Sequence, residues 1–315
     1  MKSVQAPTLA IACPVYNEES VIPLFFERIR PVMEGLSEKY RIRLVFLNNA
    51  SADLTREKID LIKVSWPETY VITMSRNVGY QASLECGIRN IDADVFVIID
   101  VDCEDPPEMI PQFIEKYEAG FDVVYGERVD RPEPRPIKSA RKFFYRLLHA
   151  IADEEIILDM AEFSLFTRQV RDAIIDDGSS FPFLRASIGR VGFRRVAIPF
   201  SRQTRIAGTT HYNLFGMSVF AVAGLLSAST LLLRLPLYIL PFWMLALCGL
   251  GAWAIMAQSL WVGLAGFVLF AGYIGASIAF IALYVARAYK NGLHRPNAII
   301  DRKRSDPPPS KRAAE

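Results

Sequence analysis

Hydrophobic and polar positions follow one pattern up to about residue 212 and a different one beyond it. In the first region, short apolar runs at Leu9 to Cys13, Ile42 to Leu47, Tyr70 to Met74, Val95 to Ile99 and Phe121 to Tyr125 have strand length. Mixed stretches of helical length separate them: Glu18 to Met33, Asp53 to Val64, Tyr80 to Asn90 and Pro107 to Ala119. Continuously apolar strands alternating with helices predict a parallel sheet covered on both faces, because such strands have no solvent side. In the second region, Leu214 to Val285 contains a single charged residue, Arg234.

Pro236 to Met256 and Leu260 to Ala286 each approach the roughly 20 apolar residues that a helix needs to cross a bilayer. Only Ala257, Gln258 and Ser259 lie between them, so the pair is predicted to be a transmembrane hairpin. No ionisable residue falls within either span, which favours an anchor over a channel or transporter. Arg287, Lys290, Arg295, Arg302, Lys303, Arg304, Lys311 and Arg312 follow, and a basic flank marks the cytoplasmic side. Both termini are therefore expected in the cytosol. Leu214 to Leu233 is uncharged but interrupted by Gly216, Ser218, Gly224, Ser227, Ser229 and Thr230. It is read as interfacial helix, since a third crossing would put the basic tail outside. The expected divisions are a soluble domain at 1–212, juxtamembrane helices at 213–235, the hairpin at 236–286 and a basic tail at 287–315. Beyond Asp306, with Pro307, Pro308 and Pro309, the tail is expected to be disordered.

Composition narrows the function classes. A formal net charge of +2, with no basic stripe interleaved with aromatics, argues against a nucleic-acid partner. Cys13, Cys86, Cys103 and Cys248 form no CxxC pair, so neither a zinc site nor a disulfide framework is indicated. Met1 to Pro7 lacks the apolar stretch of a signal peptide, and no 20 to 50 residue repeat is visible.

In open α/β sheets ligands bind beyond the carboxyl ends of the strands. The polar segments at those ends are Pro14 to Glu19, Asn48 to Asp53, Ser75 to Gly79 and Asp100 to Glu108. Neither GxxxxGK[ST] nor GxGxxG occurs, which argues against a P-loop or dinucleotide fold. Asp100 and Asp102 offer hard oxygens suited to Mg²⁺ or Mn²⁺, and such an ion neutralises a diphosphate. The two can aim at one point only if the chain turns there, which Pro106-Pro107 encourages. The plainer alternative is solvated acids at a helix start, with Asp105 capping the helix.

The segments PVYNEE (14–19), SRNVGYQASLECG (75–87), IIDVDCEDPPE (98–108) and YGERVDRPE (125–133) fall in this order, followed by EFSLFTR (162–168), FLRASIGRVGF (183–193) and SRQTRIAGTTHY (201–212). In this combination the chain resembles the polyprenyl-phosphate glycosyltransferases of glycosyltransferase family 2, a group that includes dolichyl-phosphate mannose synthases, in their bacterial two-helix form. The resemblance implies a GT-A type α/β fold with a Rossmann-like, mostly parallel sheet, followed by interfacial helices and the hairpin. It implies sugar transfer from a nucleotide diphosphate to polyprenyl phosphate, with Mg²⁺ or Mn²⁺, at a bacterial inner membrane, in a homo-oligomer such as a tetramer. It places Pro14, Tyr16, Asn17, Glu18, Asn49, Arg76, Gln81, Asp100, Val101 and Asp102 at the nucleotide sugar. Asp100, Asp102 and Glu104 are placed at the metal, and Arg128, Arg131, Arg202, Arg205 and His211 at the acceptor phosphate. Asp100, Asp102, Arg128, Glu162, Arg202 and Arg205 are the expected catalytic set.

Charge supports the arginines independently, because two phosphate-bearing substrates repel and guanidinium forks offset that repulsion. For Arg131 a solvated surface charge is an equal alternative. A phosphate monoester has its second pKa at about 6 and is already anionic at neutral pH, so positioning can replace a strong base. Direct attack implies inversion at the anomeric carbon.

Three positions depart from the family pattern. Asn48-Asn49-Ala50-Ser51 stands where DDGS is usual, which suggests an altered nucleotide preference. Glu162 stands where aspartate or serine is common, and is either a buried structural carboxylate or part of the site. His211 replaces a lysine, which implies weaker or pH-dependent phosphate binding. Two rivals are a processive polysaccharide synthase and a silent scaffold. No tryptophan lies between Trp66 and Trp243, so the QxxRW motif of the first is absent, and intact Asp100 and Asp102 oppose the second.

Overall fold

The structure, a computed structural model, describes residues 6–130, 157, 160–176, 184–207, 229–293 and 295–308. Arg131, His211 and most of the juxtamembrane segment lie outside them. The chain divides into two compact units. One holds the sheet together with the residues from Pro296 onward, and the other holds two long apolar helices.

The first unit runs β1 (Thr8–Val15), α1 (Ile22–Leu36), β2 (Arg41–Asn48), α2 (Thr55–Ser65), β3 (Thr69–Thr73), α3 (Tyr80–Asn90) and β4 (Val95–Ile98). After a 3-10 turn at Pro107–Met109 come α4 (Ile110–Glu118), β5 (Val123–Asp130), β6 (Met160–Thr167), α5 (Arg168–Asp176), α6 (Leu184–Val191) and β7 (Arg195–Ser201). The sheet order is β3-β2-β1-β4-β6-β5-β7. All five apolar runs of the sequence are strands. The sheet is mostly parallel; β6 alone runs against its neighbours, inserted between β4 and β5. β6 and β7 escape an apolar-run reading for physical reasons: Glu162 and Ser164 interrupt β6, and β7 is an edge strand carrying Pro199.

Alternation along the strands sorts the core into two layers. Leu9, Ile11 and Cys13 of β1 pack with Phe25 and Ile29 of α1 and Phe113 of α4. Ala10 and Ala12 face the other way, toward Leu84 and Ile88 of α3. The small alanines leave room for α3, and Gly87 brings it closer still, since a Cβ there would stand 2.3 Å from Leu47 Cδ1. This packing fixes where α3 begins, at the carboxyl rim of the sheet.

Residues 296–306 rejoin this unit at the open edge of β3. Isolated antiparallel bridges join Met74 to Ile300 and Val71 to Asp306, with Ser75 N donating to Ile299 O (2.8 Å) and Asp301 N to Thr73 O (2.9 Å). An edge strand presents unpaired backbone groups, and the returning chain satisfies them. In the second unit α7 (Leu231–Met256) and α8 (Leu260–Gly292) are each long and apolar enough to cross a membrane. Tyr273 stacks on Trp243 and its hydroxyl donates to Pro236 O (2.6 Å), while Leu237, Phe242 and Trp261 are exposed.

Candidate active site

Three of the four non-glycine residues with positive φ among the described residues lie just past strand ends: Asn17 (54°) after β1, Ala50 (59°) after β2 and Cys103 (56°) after β4. Side chains rarely adopt this region, and such backbone persists where surrounding bonds over-determine it. Those bonds are present. Asn17 N donates to Ser51 Oγ (3.0 Å), Ala52 N to Asn17 Oδ1 (2.9 Å) and Glu18 N to Thr55 Oγ1 (2.8 Å). Asn49 N donates back to Val15 O (2.9 Å). The loops after β1 and β2 are thus laced into one cradle.

The third loop is tied in by Asn49. Its Nδ2 donates to Asn77 Oδ1 (2.9 Å) and its Oδ1 accepts from Val78 N (2.9 Å), while Asn77 Oδ1 also accepts from Gly79 N (3.0 Å). Both ends of the Asn49 amide are therefore engaged within the protein. Asn48 is buried, and its Oδ1 accepts from Ser51 N (3.0 Å). Pro14 is buried at the end of β1, Tyr16 half-buried after it, and Arg76 is exposed on the third loop.

The acidic segment turns at Cys103, just past Asp100 and Asp102. Asp100 Oδ1 accepts from Tyr80 Oη (2.7 Å), and Asp102 Oδ1 accepts from Glu104 N (3.1 Å). Asp105 does not cap the following helix, whose first residue Pro107 follows an N-cap without a side-chain bond. Instead its carboxylate, 1% exposed, takes two bonds from Arg128 Nη2 (3.0 and 3.2 Å). Val101 is buried in the core between the acids. Burial, then the neighbouring Asp102, push the Asp100 carboxyl up to about 7. Burial also raises Asp102 and Asp105, against the pull of nearby arginines.

The segment after β7 lies against this acidic turn. Gln203 N donates to Glu104 O (2.9 Å) and Ile206 N to Asp102 O (3.1 Å). Arg205 Nη1 donates to Asp102 Oδ2 (3.1 Å), its Nη2 to Glu18 Oε1 (2.5 Å) and its Nε to Ala207 O (2.7 Å). Arg202 pairs with Glu104. Three arginines therefore meet three carboxylates of one turn, and Arg205 links that turn to the first loop.

Glu162, buried on β6, accepts at Oε1 from Gln81 Nε2 (2.8 Å) and Arg185 Nε (2.8 Å). Gln81 Oε1 in turn accepts from Leu184 N (3.2 Å). Gln81 thus joins α3, β6 and α6, and Glu162, on the strand beside β4, is held between Gln81 and Arg185. Tyr80 and Arg185 lie within the motif segments, and their part in the site, each bonded to an acid distant in sequence, shows only in the fold.

Residues 10–184 match the family model described as glycosyl transferase family 2. The chain belongs to glycosyltransferase family 2. It is a glycosyltransferase with the GT-A fold. The chain is 31% identical over 301 residues to the bactoprenol glucosyl transferase of Shigella phage SfV, covering 93% of this chain and 97% of that one. It is equally identical over 303 residues to the prophage bactoprenol glucosyl transferase homolog of Escherichia coli K12, with 93% and 98% covered. Among solved structures it resembles glucosyl-3-phosphoglycerate synthase of Mycobacterium tuberculosis, crystallised with Mn²⁺, uridine diphosphate and phosphoglyceric acid. That likeness has a TM-score of 0.50 at 20% identity over 70% of this chain and 78% of that one. The family-2 match ends before Arg202 and Arg205, whereas the alignments to both bactoprenol-named relatives extend over 93% of the chain.

Proposed function

We propose that this family-2 enzyme transfers a sugar from a nucleoside diphosphate to a polyprenyl phosphate, with inversion, at the cytoplasmic face of a bacterial membrane. The observation that carries the reading is the rim where Arg128, Arg202 and Arg205 meet Asp105, Glu104 and Asp102. Two phosphate-bearing substrates need such cationic groups, and relatives along nearly the whole chain are named for bactoprenol. The laced loops with Pro14, Tyr16, Asn17, Glu18 and Asn49 form the donor side.

An oxygen of the acceptor phosphate bonds to the anomeric carbon as the bond from that carbon to the diphosphate breaks. The nucleoside diphosphate leaves with the electron pair. No proton has to move, since the acceptor is anionic above a pH of about 6. Arg205 and Arg202 position and neutralise the phosphates, and Arg128 holds Asp105 so that the acidic turn keeps its shape.

The acidic turn fits a divalent ion. Mg²⁺ takes one or two protein carboxylates and completes its shell with phosphate and water. Among the described residues no three His, Cys, Asp or Glu side chains converge on a ready-made cage, while Asp102 Oδ2 already attracts a cationic N–H. Asp102, with one of Asp100 and Glu104, would hold the ion. When bound, it supplies charge neutralisation of the leaving diphosphate.

The membrane reading rests on α7 and α8 and on chain topology. The sheet unit holds chain from both before and after the helix pair, so an even number of crossings returns the chain to its starting side. In a Cys248→Ala background, Gln258→Cys is expected to react with an impermeant maleimide added outside intact cells, and Arg302→Cys only after permeabilisation. For the activity itself, membranes are incubated with a nucleotide-sugar panel and undecaprenyl phosphate, with and without EDTA. One lipid-linked monosaccharide, lost with EDTA, is expected; a polymer, or no lipid product from any donor, would overturn the reading.

A further inference from the structure

We propose that residues 296–306, through Arg304, are a working part of the donor-nucleotide pocket and set how tightly it binds nucleotide. The proposal rests on the donor-side reading above. It concerns a segment that follows the apolar helices and lies outside both the family match and the motifs of the sequence.

The segment is built onto the sheet. Thr73 N donates to Ser305 Oγ (2.8 Å), and Thr73 Oγ1 donates to Arg304 O (2.8 Å). Lys63 pairs with Asp306 (2.8 Å), and Asn297 Nδ2 donates to Glu85 Oε2 (2.7 Å). These bonds come from β3, α2 and α3, so Arg304 is carried on a frame held from three elements. Arg56 of α2 also donates to Arg304 O.

From that frame the Arg304 guanidinium reaches the cradle, where Nη2 donates to Ser51 O (3.3 Å). Ser51 is the hinge of the donor loops: its Oγ accepts from Asn17 N and its N donates to Asn48 Oδ1. Its neighbour Ala50 holds a positive φ without being glycine. A turn that side chains disfavour keeps its shape only while enough bonds specify it, and the bond from Arg304 anchors its carbonyl side. Loosening the turn lets the cradle sample shapes that do not fit a nucleotide, which weakens binding by the fraction of competent cradle lost. The chemistry of the sugar and of the acceptor lies at the acidic turn, which Arg304 does not touch. Arg304 is therefore a positioning residue for donor binding.

The test uses the full chain in detergent. UDP and GDP are titrated calorimetrically against the parent, Arg304→Ala, Arg304→Lys and Ser305→Ala, and donor KM and kcat are measured. Losing one charge-assisted hydrogen bond predicts that Arg304→Ala raises the Kd of the bound nucleotide and the donor KM by about tenfold. Its kcat is expected to stay within about twofold of the parent, the spread left by a group remote from the reacting atoms. Arg304→Lys should restore most of the binding. Unchanged Kd and KM in Arg304→Ala, or a loss confined to kcat, would overturn the proposal. If Arg304→Ala does not fold, Ser305→Ala decides, with weaker nucleotide binding in support and parental binding against. A parent that binds neither UDP nor GDP would instead bring down the donor-pocket reading, a distinguishable failure.

Discussion

The loops after β1, β2 and β3 are joined by hydrogen bonds between backbone, amide and hydroxyl groups, from Asn17 to Ser51 and from Asn49 to Asn77 and Val78. The segment after β7 has two backbone bonds to the acidic turn and otherwise meets it through guanidinium and carboxylate pairs. Neutral bonds of the first kind give a fixed shape that no ion competes for. Pairs of the second kind exchange partners when a better charge arrives, as a divalent ion or a phosphate does. On the proposed function, the donor side is thus preorganised, and the arginine side would release its carboxylates to the ion and turn to phosphate.

The largest expected effect tests the charged side. Asp102→Asn should lower transfer by about 10³-fold, the scale of removing one preorganised charge contact at a reacting centre. Next, Arg205→Gln should lower transfer by about 10²-fold and yet bind Mn²⁺ alone more tightly than the parent, because the competing cation is gone. Weaker Mn²⁺ binding by electron paramagnetic resonance would break the exchange idea. Arg128 is different, since removing it leaves the buried Asp105 carboxylate unpaired. Arg128→Met should cost about 3 kcal/mol in denaturant unfolding, and adding Asp105→Asn should recover much of it. On the neutral side, Asn49→Asp would set a carboxylate against Asn77 Oδ1, which Gly79 already fixes as an acceptor. Donor KM should rise by about tenfold with kcat little changed.

The remaining prediction is a pH dependence. Burial, then Asp102, push the Asp100 carboxyl up to about 7 in the folded chain, above the usual unfolded value of about 4. The fold therefore holds a proton that the unfolded chain releases, and its stability from this group falls as pH rises from about 4 to about 7. Asp100→Asn should flatten that slope, measured by thermal unfolding in EDTA. Mn²⁺ affinity should rise over the same window, as the carboxyl ionises.

Much of this was legible in the sequence because it is local. Five strands announced themselves as apolar runs, and the carboxyl-end rule then pointed to Asn17, Asn49, Asp100 and Asp102. Partners distant in sequence were not legible. Nothing in a run of residues says that Asp105 meets Arg128 rather than its own helix, or that Glu162 is clamped by Gln81 and Arg185. β6 stayed hidden because its buried face carries Glu162 and Ser164, whose cost is met only by partners on other elements. The basic residues of the tail are legible as a mark of its side of the membrane, but nothing in them says that Ile300, Ser305 and Asp306 close the edge of β3.

The account turns on arginines at the rim serving an acceptor that is itself a phosphate. The direct measurement compares undecaprenyl phosphate with undecaprenol as acceptors for the same donor, with product lipids identified by mass spectrometry. Sugar should appear on the phosphate and not on the alcohol, whereas equal transfer to both would contradict the role given to Arg202 and Arg205.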